Sequence, residues 1–348
     1  MLPRRRRCNP PCIGGNSLLH PAASDRGIGQ GMRLKLGVIG AGHFGRFHTL
    51  KAAGASRLES PRVEFLGLAD ADPARAAQVA AEAGTRAWES AGALMAAADA
   101  VIIAAPTAFH HGLGMAALAA GCHVFIEKPI AGTLAQADAL VAEAAALGRV
   151  LQVGHVERYG AGMATLRGSG GVGRPLYMEA VRVAPFRPRS LDITVILDLM
   201  IHDLDLVLSL AGADLVGVEA FGATMVSERT DFANARLRFA NGAQATITAS
   251  RASLAMERRL VVHGTEGMAR LDFLAREMTL VRKGRGAPLE QLPGHGIETL
   301  SWQDHDNLEA EQAAFVAACL DGAPVVVDGV AGRAALDAAL RVEAACAG

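Results

Sequence analysis

The stretch Gly37-Val-Ile-Gly-Ala-Gly-His-Phe-Gly-Arg46 joins an apolar run to a helical one and spaces Gly40, Gly42 and Gly45 as G-x-G-x-x-G. Each glycine has a task in holding a dinucleotide pyrophosphate. Gly40 permits the sharp turn, Gly42 lets backbone approach the phosphates, and Gly45 lets the helix lie close on the strand. The helix start, with His43 and Phe44 in its first turn, offers free N–H groups to the anion. Context supports this reading: the strand Arg33–Ile39 precedes the motif, and a second strand, Val63–Ala69, ends on Asp70. A carboxylate there accepts hydrogen bonds from the adenosine ribose and repels a 2′-phosphate, so NAD is the expected cofactor. Arg75 and Arg86 are the features that favour NADP. Asp72, just before Pro73, suits the cap of the next helix.

From residue 33 to about 155, strand and helix patterns alternate, as in a parallel sheet with right-handed crossovers. Asp99–Ala105, His123–Glu127 and Val150–Gly154 read as strands and Thr107–Ala120 as a helix. Thr133 and Gln136 form a capping-box pattern opening a helix whose apolar face is Leu134, Val141, Ala144 and Leu147. The expected fold is α/β: a doubly wound Rossmann domain over 32–155, then an α+β domain over 156–348 built on an open, mostly antiparallel sheet. The second part reads as strands at Leu176–Val183, Leu215–Thr224, Ala233–Ala240, Ala243–Ala249, Arg258–His263, Met268–Phe273 and Met278–Val281, with a hairpin at Asn241-Gly242. Helices are expected near Thr194–Leu210, Asp306–Leu320 and Gly332–Ala345.

Residues 1–31 differ from everything after them. Met1-Leu-Pro-Arg-Arg-Arg-Arg7 is basic and Cys8–Gly15 is rich in turn formers, without the apolar core of a secretory signal. They read as a disordered or non-native extension, with Met32 the natural start. The chain has 348 residues, 51% of them hydrophobic, and a net charge of −1, which suits a soluble globular protein with no nucleic-acid partner. No apolar run reaches membrane-spanning length. Five cysteines (Cys8, Cys12, Cys122, Cys319, Cys346) make neither a disulfide framework nor a metal quartet, and fit a reducing cytoplasm.

Two clusters carry chemistry. Glu127-Lys128-Pro129 ends the strand His123–Glu127 and aims Lys128 at the cofactor crevice. Asp198-Leu-Met-Ile-His202-Asp203 stacks Asp198 and His202 on one helix face by their i, i+4 spacing. A histidine can take a proton from an alcohol while hydride leaves the same carbon, and a lysine can hold the reacting oxygen. Asp198 is expected to orient His202. Arg158, Arg182, Arg187 and Arg189 lie where a substrate mouth is expected, and forked arginine donors suit a diphosphate. No metal site is expected, since neither H-E-x-x-H nor paired cysteines occur.

These pieces together resemble the Gfo/Idh/MocA family of NAD(P)-dependent oxidoreductases, across residues 32 to 348. The matching stretches are Gly37–Gly45, Pro106-Thr-Ala-Phe-His110, Ala120-Gly-Cys-His-Val-Phe-Ile-Glu-Lys-Pro129 and Asp198–His202. The resemblance implies that Lys128 and His202 are the catalytic pair with Asp198 alongside, and that Pro106, His110 and Glu127 lie at the cofactor. It also implies a second domain whose open sheet makes homo-oligomer contacts. Val153-Gly-His-Val-Glu-Arg-Tyr159 and Asp192–Asp205 are similar to the UDP-N-acetylglucosamine 3-dehydrogenase branch, with Tyr159 where that branch carries phenylalanine. That similarity implies a nucleotide-sugar substrate, contacts from Arg158, Tyr159 and Arg187, and a 3-keto product bound for a 3-amino sugar, in some bacteria for lipid A. A free sugar or inositol dehydrogenase is the alternative enzyme. A non-catalytic dinucleotide sensor is the alternative outside enzymes, and intact Lys128 and His202 argue against it.

Overall fold

Leu34, Leu36, Val38 and Ile39 are all buried, so this strand needs cover on both faces, which parallel sheets obtain from crossover helices. The computed structural model describes residues 33–59, 61–188, 193–303 and 305–347, which form one compact unit; the extension 1–31 lies outside the described residues. The first sheet runs β1 (Leu34–Ile39), α1 (His43–Ala55), β2 (Val63–Ala69), α2 (Pro73–Ala83), α3 (Ala91–Ala97), β3 (Ala100–Ile103), α4 (Thr107–Ala119), β4 (His123–Glu127), α5 (Leu134–Ala146) and β5 (Leu151–Gly154). Its five strands are parallel in the order β2-β1-β3-β4-β5. The order reverses between β1 and β3, and ligands of such sheets bind at the carboxyl ends there.

A 3₁₀ turn (Val156–Tyr159) and α6 (Ala161–Gly168) lead to β6 (Pro175–Val183). A π-helical turn (Ile196–Met200) then opens α7 (Ile201–Ala211). The rest of the second sheet is β7 (Leu215–Ala223), β8 (Phe232–Phe239), β9 (Gln244–Ser250), β10 (Glu257–Gly264), β11 (Gly267–Asp272), β12 (Glu277–Lys283), β13 (Ala287–Pro288) and β14 (His295–Ser301). Nine strands pair antiparallel except β6 with β9, which is parallel, so the sheet is mostly antiparallel as expected. The Asn241-Gly242 hairpin joins β8 to β9, with Gly242 at φ 85° and Asn241 Oδ1 accepting from Ala243 N.

The two tail helices, α8 (Asn307–Asp321) and α9 (Gly329–Cys346), return to the first sheet. Phe315 on α8 is fully buried and meets Phe125 of β4 edge to face at 5.8 Å. On α9, a Cβ at Gly332 would come within 2.5 Å of Val153 and one at Gly329 within 2.6 Å of Leu151, so glycine allows the helix to lie directly on β5. The same helix packs on α7 and β7 of the second sheet. Among the described residues no helix is long and apolar enough to cross a membrane.

Some expectations need correction. The buried face of α5 is Ala137, Leu140 and Ala144, while Leu147 is exposed and Leu134 and Val141 are half-buried. The helix turns this way because Leu140 fills the space left by Gly114 on α4, where a Cβ would come within 2.6 Å of it. Thr133 caps Gln136 N as the capping box requires, but Gln136 Oε1 accepts from Gly132 N, one residue earlier than the usual partner. The short β13, β14 and α6 were not expected from the sequence pattern. As a test of the tail's role in the first core, Phe315→Ala should cost about 3–5 kcal/mol, the usual toll of a large buried aromatic. Denaturant unfolding measures it, and a loss near zero would show that α8 is peripheral.

Candidate active site

At the carboxyl end of β1 each glycine does what its position demands. Gly40 has φ 105°, and a Cβ there would come within 2.5 Å of Ala104 O at the end of β3. A Cβ on Gly45 would come within 2.0 Å of Gly40 O, so only glycine lets α1 sit this close to β1. Gly42 is the opposite case: a Cβ there meets nothing within 4 Å. It precedes α1 without a side-chain cap, leaving first-turn N–H groups to an anion. His43 and Phe44 occupy this turn and are exposed. Beside it, a cavity of about 440 Å³ is lined by Gly40, Asp70, Arg75, Pro106 and Phe109 among others. Open backbone, a helix start and an apolar slot ending in a carboxylate fit a dinucleotide.

Asp70 does more than the sequence indicates. Its carboxylate accepts from Ala41 N at 2.6 Å, from Asp72 N at 2.8 Å and from Arg75 Nη2 at 3.0 Å, so it also pins the glycine turn. Burial alone would raise its pKa, but these donors hold it below the usual carboxylate range. Asp72 caps α2, accepting from Ala74 N and Arg75 N.

Lys128 is held from several sides. Its backbone N–H donates to Glu127 Oε2 at 3.1 Å, and Glu127 Oε1 pairs with His48 Nε2 at 2.8 Å. Gln312 of α8 donates to His48 Nδ1 at 2.8 Å, which leaves the histidine's proton on Nε2, facing Glu127. Gly154 makes room, since a Cβ there would come within 2.8 Å of Glu127 Oε2. His110, expected at the cofactor, is instead buried, with Nδ1 2.8 Å from Pro129 O and Nε2 2.7 Å from Ala105 O. It braces the Lys128-Pro129 turn against the end of β3.

Across the crevice, Lys128 Nζ donates to Asp198 O at 2.8 Å and lies 3.8 Å from Asp198 Oδ1. Here the i, i+4 expectation fails. Asp198 sits inside the π-helical turn, which widens the helix and changes which side chains stack. Asp198 therefore partners Lys128, whereas His202 Nδ1 is buried without a hydrogen-bond partner. Burial, then the charges of Lys128 and Arg182, push the His202 pKa well below its ordinary value, so the imidazole is neutral and able to accept a proton.

The arginines divide. Arg187 lines a small cavity that also takes in Asp198, Arg251 and Arg258. Arg158 points elsewhere, to Asp205 Oδ1 at 3.3 Å and Val326 O at 3.1 Å, and Tyr159 is buried. Both are turned inward because the 3₁₀ turn carrying them packs on α8 and α7. Arg182 is consumed in a buried cluster, donating to Asp203 Oδ2 at 2.8 Å and to Glu157 Oε1 at 2.8 Å. Arg189 lies outside the described residues. Arg251 and Arg258, 53 and 60 positions beyond Asp198 in the 348-residue chain, were missed because only β10 and the turn before it bring them to the mouth. His48 and Gln312 were missed for the same kind of reason.

Residues 34–155 match the model of an oxidoreductase family with an NAD-binding Rossmann fold, GFO_IDH_MocA, and residues 162–270 match the GFO/IDH/MocA C-terminal domain. The chain is 42% identical over 314 residues to the UDP-N-acetylglucosamine 3-dehydrogenase of Acidithiobacillus ferrooxidans, covering 90% of this chain and 97% of the relative. The chain belongs to the Gfo/Idh/MocA family. A solved structure of the Acidithiobacillus enzyme matches with a TM-score of 0.84 at 41% identity, covering 90% of this chain and 97% of that one. The inositol 2-dehydrogenase of Rhizobium meliloti is 28% identical, over 89% of this chain and 97% of the relative. As a Gfo/Idh/MocA member, the chain is an NAD-dependent oxidoreductase acting on a CH–OH group.

Two predictions follow from this Gfo/Idh/MocA site. Asp70→Ala should weaken NAD about tenfold or more, the loss of hydrogen bonds to a charged acceptor, and narrow the preference over NADP. Titration calorimetry with both cofactors checks it, and an unchanged NAD affinity would exclude Asp70 from binding. The second concerns His155, just after β5, whose pKa burial and then Lys128 and Arg158 lower to about 3. Between its ordinary value and about 3 the unfolded chain binds a proton there that the folded one refuses. This group therefore costs nothing above pH of about 6.5 and lowers stability by up to about 1.4 kcal/mol per pH unit below it. His155→Gln should flatten the fall of Tm between about pH 6.5 and 4; an unchanged slope would refute a buried neutral His155.

Proposed function

We propose that this chain oxidises UDP-N-acetylglucosamine at the 3-hydroxyl to the 3-keto sugar. The observation that carries the reading is near-full-length similarity to an enzyme of that name, together with Lys128 bonded to Asp198 and close enough for its charge to act on His202. The Gly40–Gly45 turn and Asp70 would hold NAD, which would supply the hydride acceptor for the reacting carbon. His202, neutral in its surroundings, takes the hydroxyl proton. Lys128 holds the reacting oxygen against developing charge, and Asp198 holds Lys128 in place through its carbonyl and carboxylate. Arg187 and Arg258 supply the cationic mouth for the diphosphate. The product is suited to transamination, as in 3-amino sugars of lipid A, in a cytoplasmic homo-oligomer assembled through the second sheet.

Screening the protein and NAD against UDP-N-acetylglucosamine and myo-inositol, followed by NADH absorbance, tests the substrate. Turnover of myo-inositol alone, with no thermal shift from UDP, would replace the nucleotide sugar with a free polyol. Lys128→Ala and His202→Ala should each lower kcat by about 10²-fold or more with NAD affinity within a few-fold. Near-normal kcat in both would place the chemistry on other residues.

A further inference from the structure

Behind His202, buried polar atoms without a hydrogen-bond partner lie on elements that meet between the sheets. They include His202 Nδ1 and Asp205 Oδ2 on α7, and both ring nitrogens of His155 after β5. Both carboxylate oxygens of Glu311 on α8 belong to the same set. Folded proteins leave few such atoms unpaired, and a polar region of this kind is satisfied by ordered water.

The rings of His155 and His202 stand edge to face with centres 6.4 Å apart. Each ring nitrogen lies roughly 1.2 Å from its centre, so the nitrogens come no closer than roughly 4 Å, which rules out a direct hydrogen bond between the rings. Beyond His155 stands Arg158, paired with Asp205 at 3.3 Å. Both line a cavity of about 520 Å³ with Ser209, Arg333 and Asp337, between α7 and α9. The Arg158–Asp205 pair therefore lies between the turn that follows His155 and a cavity whose lining shares no residue with the one around Asp198 and Arg258.

Each turnover must return His202 to its neutral form. Once His202 has taken the alcohol proton on Nε2 it is an imidazolium, opposed by burial and by Lys128, Arg182, His155 and Arg258 around it. Its other ring nitrogen, Nδ1, is buried. His155 in turn is faced by Lys128 and Arg158.

We propose that His155 is a positioning residue that carries the substrate proton away from His202 through one bridging water, toward the cavity between α7 and α9. This rests on the reading of His202 as the base. The alcohol O–H bond breaks as the His202 Nε2–H bond forms. The Nδ1–H bond of His202 then breaks while the water delivers a proton to one nitrogen of His155, whose other nitrogen releases its own to the next water. His155 ends neutral in the opposite tautomer, and exchange with the same waters restores both rings before the next turnover. No oxidant beyond NAD is required.

The test compares His155→Gln, which stays polar but cannot pass a proton, with His202→Ala, using whichever of UDP-N-acetylglucosamine or myo-inositol is turned over. His155→Gln should lower kcat about tenfold with KM and NAD affinity unchanged. Its solvent deuterium isotope effect on kcat should rise, while the effect of deuterium at the reacting carbon shrinks as proton exit limits the rate. Unchanged kcat and isotope effects beside an inactive His202→Ala would overturn the relay and leave the base standing. An active His202→Ala would overturn both. A slower His155→Gln with unaltered solvent effect and a lowered Tm would mean packing alone, also against the proposal. A crystal structure gives a measure independent of any variant's folding: one ordered water bridging His202 Nδ1 and a His155 nitrogen is expected, and a dry contact would refute it.

Discussion

The hydrogen bond from Lys128 Nζ to Asp198 O, 2.8 Å long, ties the end of a parallel strand to the turn that opens α7. An ammonium that is largely removed from water must find acceptors, so this contact fixes the relative placement of the two sheets at the crevice. The surroundings serve that end. Gln312, His48 and Glu127 form a hydrogen-bonded chain leading to the Lys128 backbone, while His110 braces the following proline. A residue at the far end of the chain thereby supports Lys128, which ties α8 to the first core.

Charge is arranged in layers around the site. Arg182 neutralises Asp203 and Glu157 inside the second lobe, holding β6 to α7 and to the 3₁₀ turn. Burial would raise Glu157, yet the Arg182 charge and hydrogen bond keep it below the usual carboxylate range. Further out, Arg187 and Arg258 face the mouth. Between these layers the imidazoles of His202 and His155 are kept neutral by burial and the surrounding cations.

Local patterns were legible wherever one residue's backbone or one element's period carried the information. Gly40, Gly42 and Gly45 each had a steric reason, and the structure shows a clash, an open space and a clash in turn. The strand alternation, the caps Asp72 and Thr133, and the Asn241-Gly242 hairpin are likewise local. Where the reading went astray, a neighbour distant in sequence decided the matter. Arg158 and Tyr159 were assigned to substrate because they follow β5, but packing on α8 and α7 turns them inward.

The sequence by itself determined the α/β order, the nucleotide turn, and the placing of Lys128 at a strand end and of Asp198 and His202 where a helix opens, because strand ends and helix starts dictate where such side chains emerge. Tertiary structure alone decided their pairing. The π-helical turn, invisible to a regular helical period, hands Asp198 to Lys128 and leaves His202 Nδ1 buried without a partner, with its ring edge to face with that of His155. Packing between sheets sets which buried polar atoms meet, and those meetings depend on distances across space that no spacing along the chain encodes.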